Sequence, residues 1–169
     1  MNPSVKAMNR NQSTGFTLIE LMIAVAIVGI ILVVAVPSFT AMNQDSAFTT
    51  SANAFIGALK LARTEAVKRG STISVEAGSA TTWGDGFSVF ADTNGDGDQD
   101  TGEETLRIIN AFNGPTLSGT QTSFSFGPDG MLDTADTLTV CDSRTGETGR
   151  RIFLQLGGTT QIDTDFTCP

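Results

Sequence analysis

The sequence lacks the side chains on which much enzyme chemistry depends. It contains no histidine and no tyrosine, and only two cysteines. Histidine is the commonest general base and the commonest transition-metal ligand, so its absence excludes a Ser-His-Asp or Cys-His catalytic device. The remaining candidates are carboxylates, which cluster in glycine-rich turns where water and neighbouring charges keep them ionised. These features argue against an enzyme.

Basic residues are also scarce. The 169 residues include 10 lysines and arginines against 18 acidic residues, a formal net charge of −8. DNA binding needs several phosphate-neutralising cations on one face. Beyond Arg107 the only cations are Arg144, Arg150 and Arg151, and acidic residues lie close to them in the sequence. The composition therefore does not favour a nucleic-acid partner.

One long hydrophobic run dominates the N-terminal region. From Phe16 to Val36 the only charge is Glu20. As a helix with a rise of roughly 1.5 Å per residue, this run spans about 30 Å, the thickness of a bilayer's hydrocarbon core. A signal-peptide core or an ordinary membrane anchor would be similar, but no A-x-A-like cleavage site follows the run. A carboxylate carried to the bilayer centre costs about 2.5–3.5 kcal/mol, so Glu20 needs a reason of its own.

A short polar leader precedes this run. Residues 1–15 lack apolar periodicity and carry two positive charges, which favour a cytoplasmic location for this end. The leader, its final glycine and the following F-T-L-I-E resemble a type IV prepilin. The resemblance implies that a prepilin peptidase cuts between Gly15 and Phe16, and that Phe16 is then N-methylated. It also implies that Glu20 meets the N-terminal amine of a neighbouring subunit during assembly.

The pattern changes at Pro37. Proline within a helix removes one backbone hydrogen bond and kinks or ends the helix. Beyond it, apolar residues recur at steps of three and four, the period of one helix face. They are Phe48, Ala52, Phe55, Ile56, Leu59, Ala62, Ala66 and Val67. Gly70 marks the predicted helix end. We expect a transmembrane half over residues 16–37 and an amphipathic half over residues 38–70, whose apolar stripe requires a sheet to cover it.

Residues 71–169 have the pattern of a β-rich head. Short β-rich runs, several of which alternate apolar and polar residues, are separated by turn-forming sequences. The predicted strands cover residues 71–76, 86–91, 105–112, 122–126, 137–141 and 151–156, with a weaker one at 160–167. The sequence therefore predicts an α+β fold in which one long N-terminal helix packs on an antiparallel β domain.

The order of motifs in the head resembles the GspH/FimT group of minor pilins and pseudopilins. The motifs are ALKLARTEAVKRG (58–70), WGDG (83–86), DTNGDGDQD (92–100), FGPDG (126–130) and GRRI (149–152). The resemblance implies the type IV pilin fold, an inner-membrane anchor, a periplasmic head and incorporation into a pilus or pseudopilus. It also implies a minor pilin of the FimU-like branch, which helps to initiate a type IV pilus and links tip subunits to the major pilin. Its partners would be other minor pilins and the major pilin.

Two other functions within this group are alternatives. One is a GspH-like minor pseudopilin of a type II secretion system, and the other is a FimT-like DNA-binding competence pilin. The DNA-binding members share a glycine-arginine-rich C-terminal segment, whereas residues 156–161 here are LGGTTQ, without arginine. DNA is therefore not an expected partner.

Cys141 and Cys168 both lie in the part that is expected outside the membrane. An even pair there indicates a disulfide in an oxidising compartment, and the alternative is two unpaired buried thiols. The pair near the C-terminus resembles a pilus minor pilin more than a secretion pseudopilin, which favours the pilus assignment.

The turn between the second and third predicted strands has the spacing of a calcium loop. Counted from Asp92, oxygen-bearing side chains occupy positions 1, 3, 5, 7, 9 and 12, and glycine occupies position 6, as in an EF-hand loop. The predicted ligands are Asp92, Asn94, Asp96, Asp98, Asp100 and Glu103. The flanks are predicted strands, so this loop would lie on a β-hairpin. The alternative is a solvated acidic turn in which Asn and Gly supply the backbone conformations. No other cofactor is expected.

Overall fold

A computed structural model of the protein describes residues 15–79, 82–144, 146 and 148–169. Residues 1–14 of the predicted leader lie outside the described residues. The chain divides into two compact units, Met1–Ala41 and Met42–Pro169. Helix α1 (Leu18–Arg69) is followed by eight strands within the described ranges. The α+β class predicted from the sequence is confirmed.

The first unit contains the apolar half of α1. Its large apolar side chains are exposed, and its most apolar 18-residue window has a mean hydropathy of 3.0. The helix is therefore long and apolar enough to cross a membrane. Pro37 lies within α1, which does not end there as one of the two predicted outcomes would require. Because proline removes only one amide donor, the turns on either side keep the helix intact.

The second unit contains the amphipathic half of α1 and all the described strands. The apolar stripe is buried from Phe48 to Ala66, whereas Val67, which the periodicity assigned to the same stripe, is 55% exposed. The helix ends as predicted. Gly70 adopts a positive φ of 65°, and its N–H donates to the carbonyl of Ala66 at 2.9 Å.

Two four-stranded antiparallel sheets complete the second unit. The first sheet has the order β3-β2-β1-β5, and the second has the order β4-β6-β7-β8. The strands are β1 (Ile73–Ser79), β2 (Thr82–Ala91), β3 (Thr105–Asn110), β4 (Thr116–Ser118), β5 (Ser123–Phe126), β6 (Asp136–Cys141), β7 (Arg150–Leu154) and β8 (Thr160–Asp163). Only β4 has no counterpart among the predicted strands, because three residues are too few to show a period of two.

An aromatic cluster joins the helix to the first sheet. The ring of Phe55 makes edge-to-face contacts with Trp83 and Phe87 at centroid distances of 5.0 and 5.4 Å. Trp83 stacks on Phe124 at 5.2 Å, and its indole N–H donates to the carbonyl of Gln121 at 2.8 Å. Such pairs add about 0.5–1.5 kcal/mol each beyond the burial of their area. Apolar residues of the second sheet, including Leu138 and Ile152, belong to the same core.

Candidate functional site

The start of α1 carries the predicted processing and assembly residues. Thr17 is the residue before the helix, and its Oγ1 accepts the backbone N–H of Glu20 at 3.3 Å, as an N-cap does. Glu20 itself is exposed on the first turn, and no ion pair involves it among the described residues. Its carboxylate is therefore available to a group outside this chain.

Gly15 and Phe16 precede the helix in a non-helical conformation. Nothing lies within 4 Å of the position that a Cβ on Gly15 would occupy. The fold of the described residues therefore gives no reason for glycine at this position. A requirement outside the fold, such as access of a peptidase to the backbone, would supply one.

A shallow apolar depression of about 370 Å³ runs along the same face of the helix. It is lined by Phe16, Glu20, Leu21, Ala24, Val25 and Val28. Ala24 is small and lies between larger neighbours, so an apolar side chain of another helix can lie beside Glu20 here. The chemistry of this face is that of a helix-packing surface.

A disulfide anchors the C-terminal segment of the head. Cys141, the last residue of β6, is bonded to Cys168 across a sequence separation of 27 residues. Gly149 lies directly beside the bond, since a Cβ there would overlap Cys168 Sγ. The N–H of Gly149 donates to the carbonyl of Phe166 at 2.6 Å. The last residues of the chain are thus held against β6 and β7.

An arginine joins this region to the helix. The guanidinium of Arg144 pairs with Asp45 on α1 at 2.8 Å and with Asp142 at 2.7 Å. Hydrogen bonds from Arg144 hold the pKa of the Asp142 carboxyl below its usual value, and those from Asp142 and Asp45 raise the pKa of Arg144. The sequence gave no indication of the Asp45 contact, because 99 residues separate the two side chains.

The predicted calcium loop is organised by hydrogen bonds between its own groups. Asp92 accepts the backbone N–H groups of Gly95 at 2.6 Å and Gly97 at 3.0 Å. The Glu103 carboxylate accepts the N–H groups of Thr93 at 2.7 Å and Asp100 at 3.1 Å, and these two bonds lower its pKa, the Thr93 bond contributing most. These two carboxylates, at the first and twelfth positions, therefore close the loop on its own backbone.

The middle of the loop uses its polar side chains in the same way. The Asn94 amide donates to the carboxylates of Asp96 at 2.8 Å and Asp100 at 3.0 Å, and Asp96 also accepts the N–H of Asp98 at 3.1 Å. Gly95 and Gly97 adopt positive φ angles of 80° and 82°, which explains both glycines. Of the predicted ligands, Asp98 alone makes no side-chain hydrogen bond among those described, although its N–H is bonded.

The donor chemistry of this loop fits calcium, but its geometry is not that of a formed site. Carboxylate and amide oxygens are the ligands that calcium prefers. Among the described residues, however, no group of three acidic side chains is placed so that it could hold a metal ion. Calcium binding would require several of these side chains to exchange their present hydrogen bonds for the cation. It therefore stays a prediction.

The sequence did not indicate that this loop covers the first sheet. The Ser74 hydroxyl on β1 donates to Asp92 at 2.8 Å, Glu76 accepts the N–H of Gln99 at 2.8 Å, and Ser88 on β2 donates to the Gln99 side chain at 2.9 Å. All three sheet residues lie on the face opposite the core. Residues 92–104, which we call the acidic strap, therefore cross the outer face of this sheet.

The acidic strap explains an aromatic residue on that face. Phe90 pairs with Ser74 and points away from the core, yet it is fully buried. Arg69, at the end of α1, pairs with Glu104 at the end of the strap at 2.6 Å and with Glu65 at 2.7 Å. The strap is therefore a structural part of the head as well as an acidic turn.

Comparison with known proteins gives two family matches. The prokaryotic N-terminal methylation motif matches residues 10–36, and the family described as type II transport protein GspH matches residues 51–158. No curated protein matches the sequence with significant similarity.

Solved structures share the fold. The type IV minor pilin FimU of Pseudomonas aeruginosa PAO1 is 25% identical in two crystal forms. One gives a TM-score of 0.59 and covers 74% of this chain and 92% of FimU, and the other gives 0.56 and covers 68% and 91%. The minor pseudopilin EpsH from the type II secretion system of Vibrio cholerae is 15% identical, with a TM-score of 0.54 over 73% of this chain and 99% of that chain, a likeness of fold.

The GspH match covers more than half of the sequence, including the end of α1 and most of the head, and the methylation motif covers the start of α1. The related proteins are structural subunits and not enzymes. This chain therefore belongs to the GspH family of minor pilins and pseudopilins.

Proposed function

We propose that this protein is a minor pilin that helps to prime assembly of a type IV pilus and links tip subunits to the major pilin. The observation that carries the proposal is the start of α1, where Glu20 lies without an ionic partner among the described residues, on an apolar helix long enough to cross a bilayer. A carboxylate in such surroundings is stabilised by a positive charge, and another subunit's N-terminal amine would supply one.

The proposal includes processing by a prepilin peptidase. Cleavage after Gly15 would create a methylated Phe16 amine, with Glu20 four residues further on. The methylation-motif match spans this site, and the fold does not itself require a glycine there. The mature protein would then be anchored in the inner membrane by α1, with its head in the periplasm.

The pilus is favoured over a type II secretion pseudopilus by the likeness to FimU, which covers 92% of that minor pilin at 25% identity. The alternative rests on the GspH family itself, which is described by type II transport. Deletion of the gene distinguishes the two functions. Loss of surface pili with normal protein secretion supports the proposal, whereas loss of secretion with normal piliation supports the pseudopilin alternative.

The proposal is tested by the variant Glu20→Ala in the full-length chain. We expect this variant to be cleaved normally but to be depleted from sheared pilus fractions, because its helix no longer carries the charge that meets the neighbouring amine. Asp165→Ala is a matched control, since it removes an exposed carboxylate of the head. Incorporation of Glu20→Ala at the level of the control would contradict the proposed role of Glu20.

A further inference from the structure

The outer face of the second sheet carries an aromatic residue where a polar one is expected. On β7, Ile152 and Leu154 are buried in the core, and Phe153 points to the opposite face, where it is half-buried. Its cross-strand neighbours are Thr137 on β6 and Gln161 on β8, both exposed. The solvent face of an antiparallel sheet is normally polar. Phe153 therefore has no role in the main core that would explain an aromatic ring here.

A cation lies on the same face between two aromatic rings. The Arg151 guanidinium is 4.4 Å from the centre of the Phe166 ring and 5.9 Å from the centre of the Phe153 ring. Asp163 is its cross-strand neighbour on β8, but Arg151 forms no ion pair within the part of the chain that the structure describes. The rings hold the planar group in place and leave its charge without a carboxylate partner.

A depression of about 350 Å³ adjoins Phe153. Ala135, Thr137, Gln155 and Gln161 line it together with the Phe153 ring. Asp136 lies at its edge, but its carboxylate already accepts hydrogen bonds from Thr120 at 2.8 and 2.9 Å and from Gln121 at 3.1 Å. The depression is therefore neutral in character and large enough for an inserted side chain.

The first sheet provides a contrast. Its outer face carries serines and the aromatic Phe90, and the acidic strap covers that aromatic completely. On the second sheet only the C-terminal segment around Phe166 reaches the outer face through a described contact, and Phe153 keeps part of its surface in solvent. Each sheet thus has an outward aromatic residue, but only the first one is covered from within the described chain.

We propose that the Phe153 face, defined by Thr137, Arg151, Phe153, Gln161 and Phe166, binds the head of another pilin-family subunit. That subunit inserts an apolar side chain into the depression and directs a carboxylate at Arg151. The centres of protein interfaces are enriched in aromatic residues and arginine and depleted of other charges, which is the composition of this face. The inference rests on the proposed function, because the occupant is a neighbouring subunit of the same filament.

Charge and shape both support a protein head as the occupant. Arg151 is the only cation of the face, and the other members of the face are neutral, so the surface complements one carboxylate in an otherwise neutral partner surface. A nucleic acid would require several cations together. The subunits of the filament share this strongly acidic or neutral type of head if they resemble this chain, whose net charge is −8.

The test is site-specific photocrosslinking in cells that assemble the filament. A photoreactive phenylalanine analogue replaces Phe153 in the full-length chain, and the matched control carries it at Ile108, which is 69% exposed on β3 of the other sheet. We expect position 153 to crosslink to a subunit that mass spectrometry identifies as a pilin-family chain, and position 108 to give no such product. Adding Arg151→Glu should reduce the yield at least about tenfold, as loss of a central interface residue does.

A second measurement separates docking from folding. Phe153→Ala should keep the thermal unfolding of the purified chain close to that of Ile108→Ala, yet reduce its recovery with filament subunits severalfold more than Ile108→Ala does. If the chain enters the filament but position 153 gives no crosslink to a pilin-family subunit, the docking proposal is overturned and the proposed function stands. If the chain is absent from the filament fraction altogether, both are overturned.

Discussion

Ser74 donates its hydroxyl to the Asp92 carboxylate over 2.8 Å, and both side chains are buried. The Ser74 oxygen also lies 2.8 Å from the Ser125 hydroxyl on β5. Asp92 begins the acidic strap, so this contact fastens the strap to two strands of the first sheet. A buried carboxylate without a cation is stabilised here by a hydroxyl and by two backbone N–H groups.

Asp92→Ala should therefore destabilise the head. It leaves the donors of Ser74, Gly95 and Gly97 without their acceptor, and each unsatisfied buried donor costs about 1–3 kcal/mol. We expect the free energy of unfolding to fall by about 2 kcal/mol or more, measured by denaturant unfolding of the full chain in detergent. The control Asp98→Ala removes an exposed carboxylate of the same strap and should stay within about 0.5 kcal/mol of the wild type. Equal effects of the two substitutions would contradict the anchoring role of Asp92.

Calcium binding by the strap can be tested separately. If the sequence spacing is used, calcium at millimolar concentration will raise the melting temperature of the full chain and chelator will lower it, because the cation screens carboxylates that otherwise repel one another. Asp92→Ala with Asp96→Ala should abolish the shift. A melting temperature and titration heat that do not respond to calcium would assign the strap to a purely structural role.

The disulfide should be complete in the native protein. The chain contains only two cysteines, so thiol labelling of denatured, unreduced protein should find none. Cys141→Ser with Cys168→Ser should lower the free energy of unfolding by about 3–4 kcal/mol, because a loop of this length is no longer closed in the unfolded chain. Two labelled thiols in protein isolated from cells would refute the bridge.

The head should lose stability in acid. Burial raises the pKa of the Asp136 carboxyl, but hydrogen bonds from Thr120, Gln121 and Thr137 outweigh it and hold the pKa below its ordinary value of 3.8. A carboxyl with a depressed folded-state pKa contributes stability above its unfolded value, and this stability is lost as pH falls through the folded value. The melting temperature should thus be nearly level from pH 7 to about 5 and fall below about pH 4. Asp136→Asn should lower it at pH 7 and make the acid slope shallower, whereas an unchanged slope would exclude Asp136 as a source.

Processing is tested at Gly15. Gly15→Val should leave the precursor uncleaved in the membrane, because the peptidase needs the unobstructed backbone of glycine. Since nothing in the described structure approaches this position, the substitution should not disturb the fold. Mass spectrometry of native protein should find methylated Phe16 as the first residue. A chain that begins at Met1, or after Val36, would contradict the cleavage site.

Local patterns in the sequence predicted the elements of this fold. The three-and-four spacing from Phe48 to Ala66 gave the buried helix face, because a helix places such residues on one side whatever lies opposite. The glycine after Arg69 gave the helix end, and the alternation in β5 and β7 gave their buried faces. The exception, Val67, fits the period but lies beyond the reach of the sheets that cover the stripe.

Only the tertiary structure decided how distant side chains are used. The spacing from Asp92 to Glu103 indicated calcium ligands, yet in the folded chain Asp92 accepts a hydroxyl from β1 and Glu103 accepts N–H groups of its own loop. Likewise, Phe90 and Phe153 both occupy outward positions of a strand, and only the path of the acidic strap buries the first. Periodicity assigns a residue to one side of its own element. What lies against that side depends on contacts between residues far apart in sequence, which form only when the chain folds.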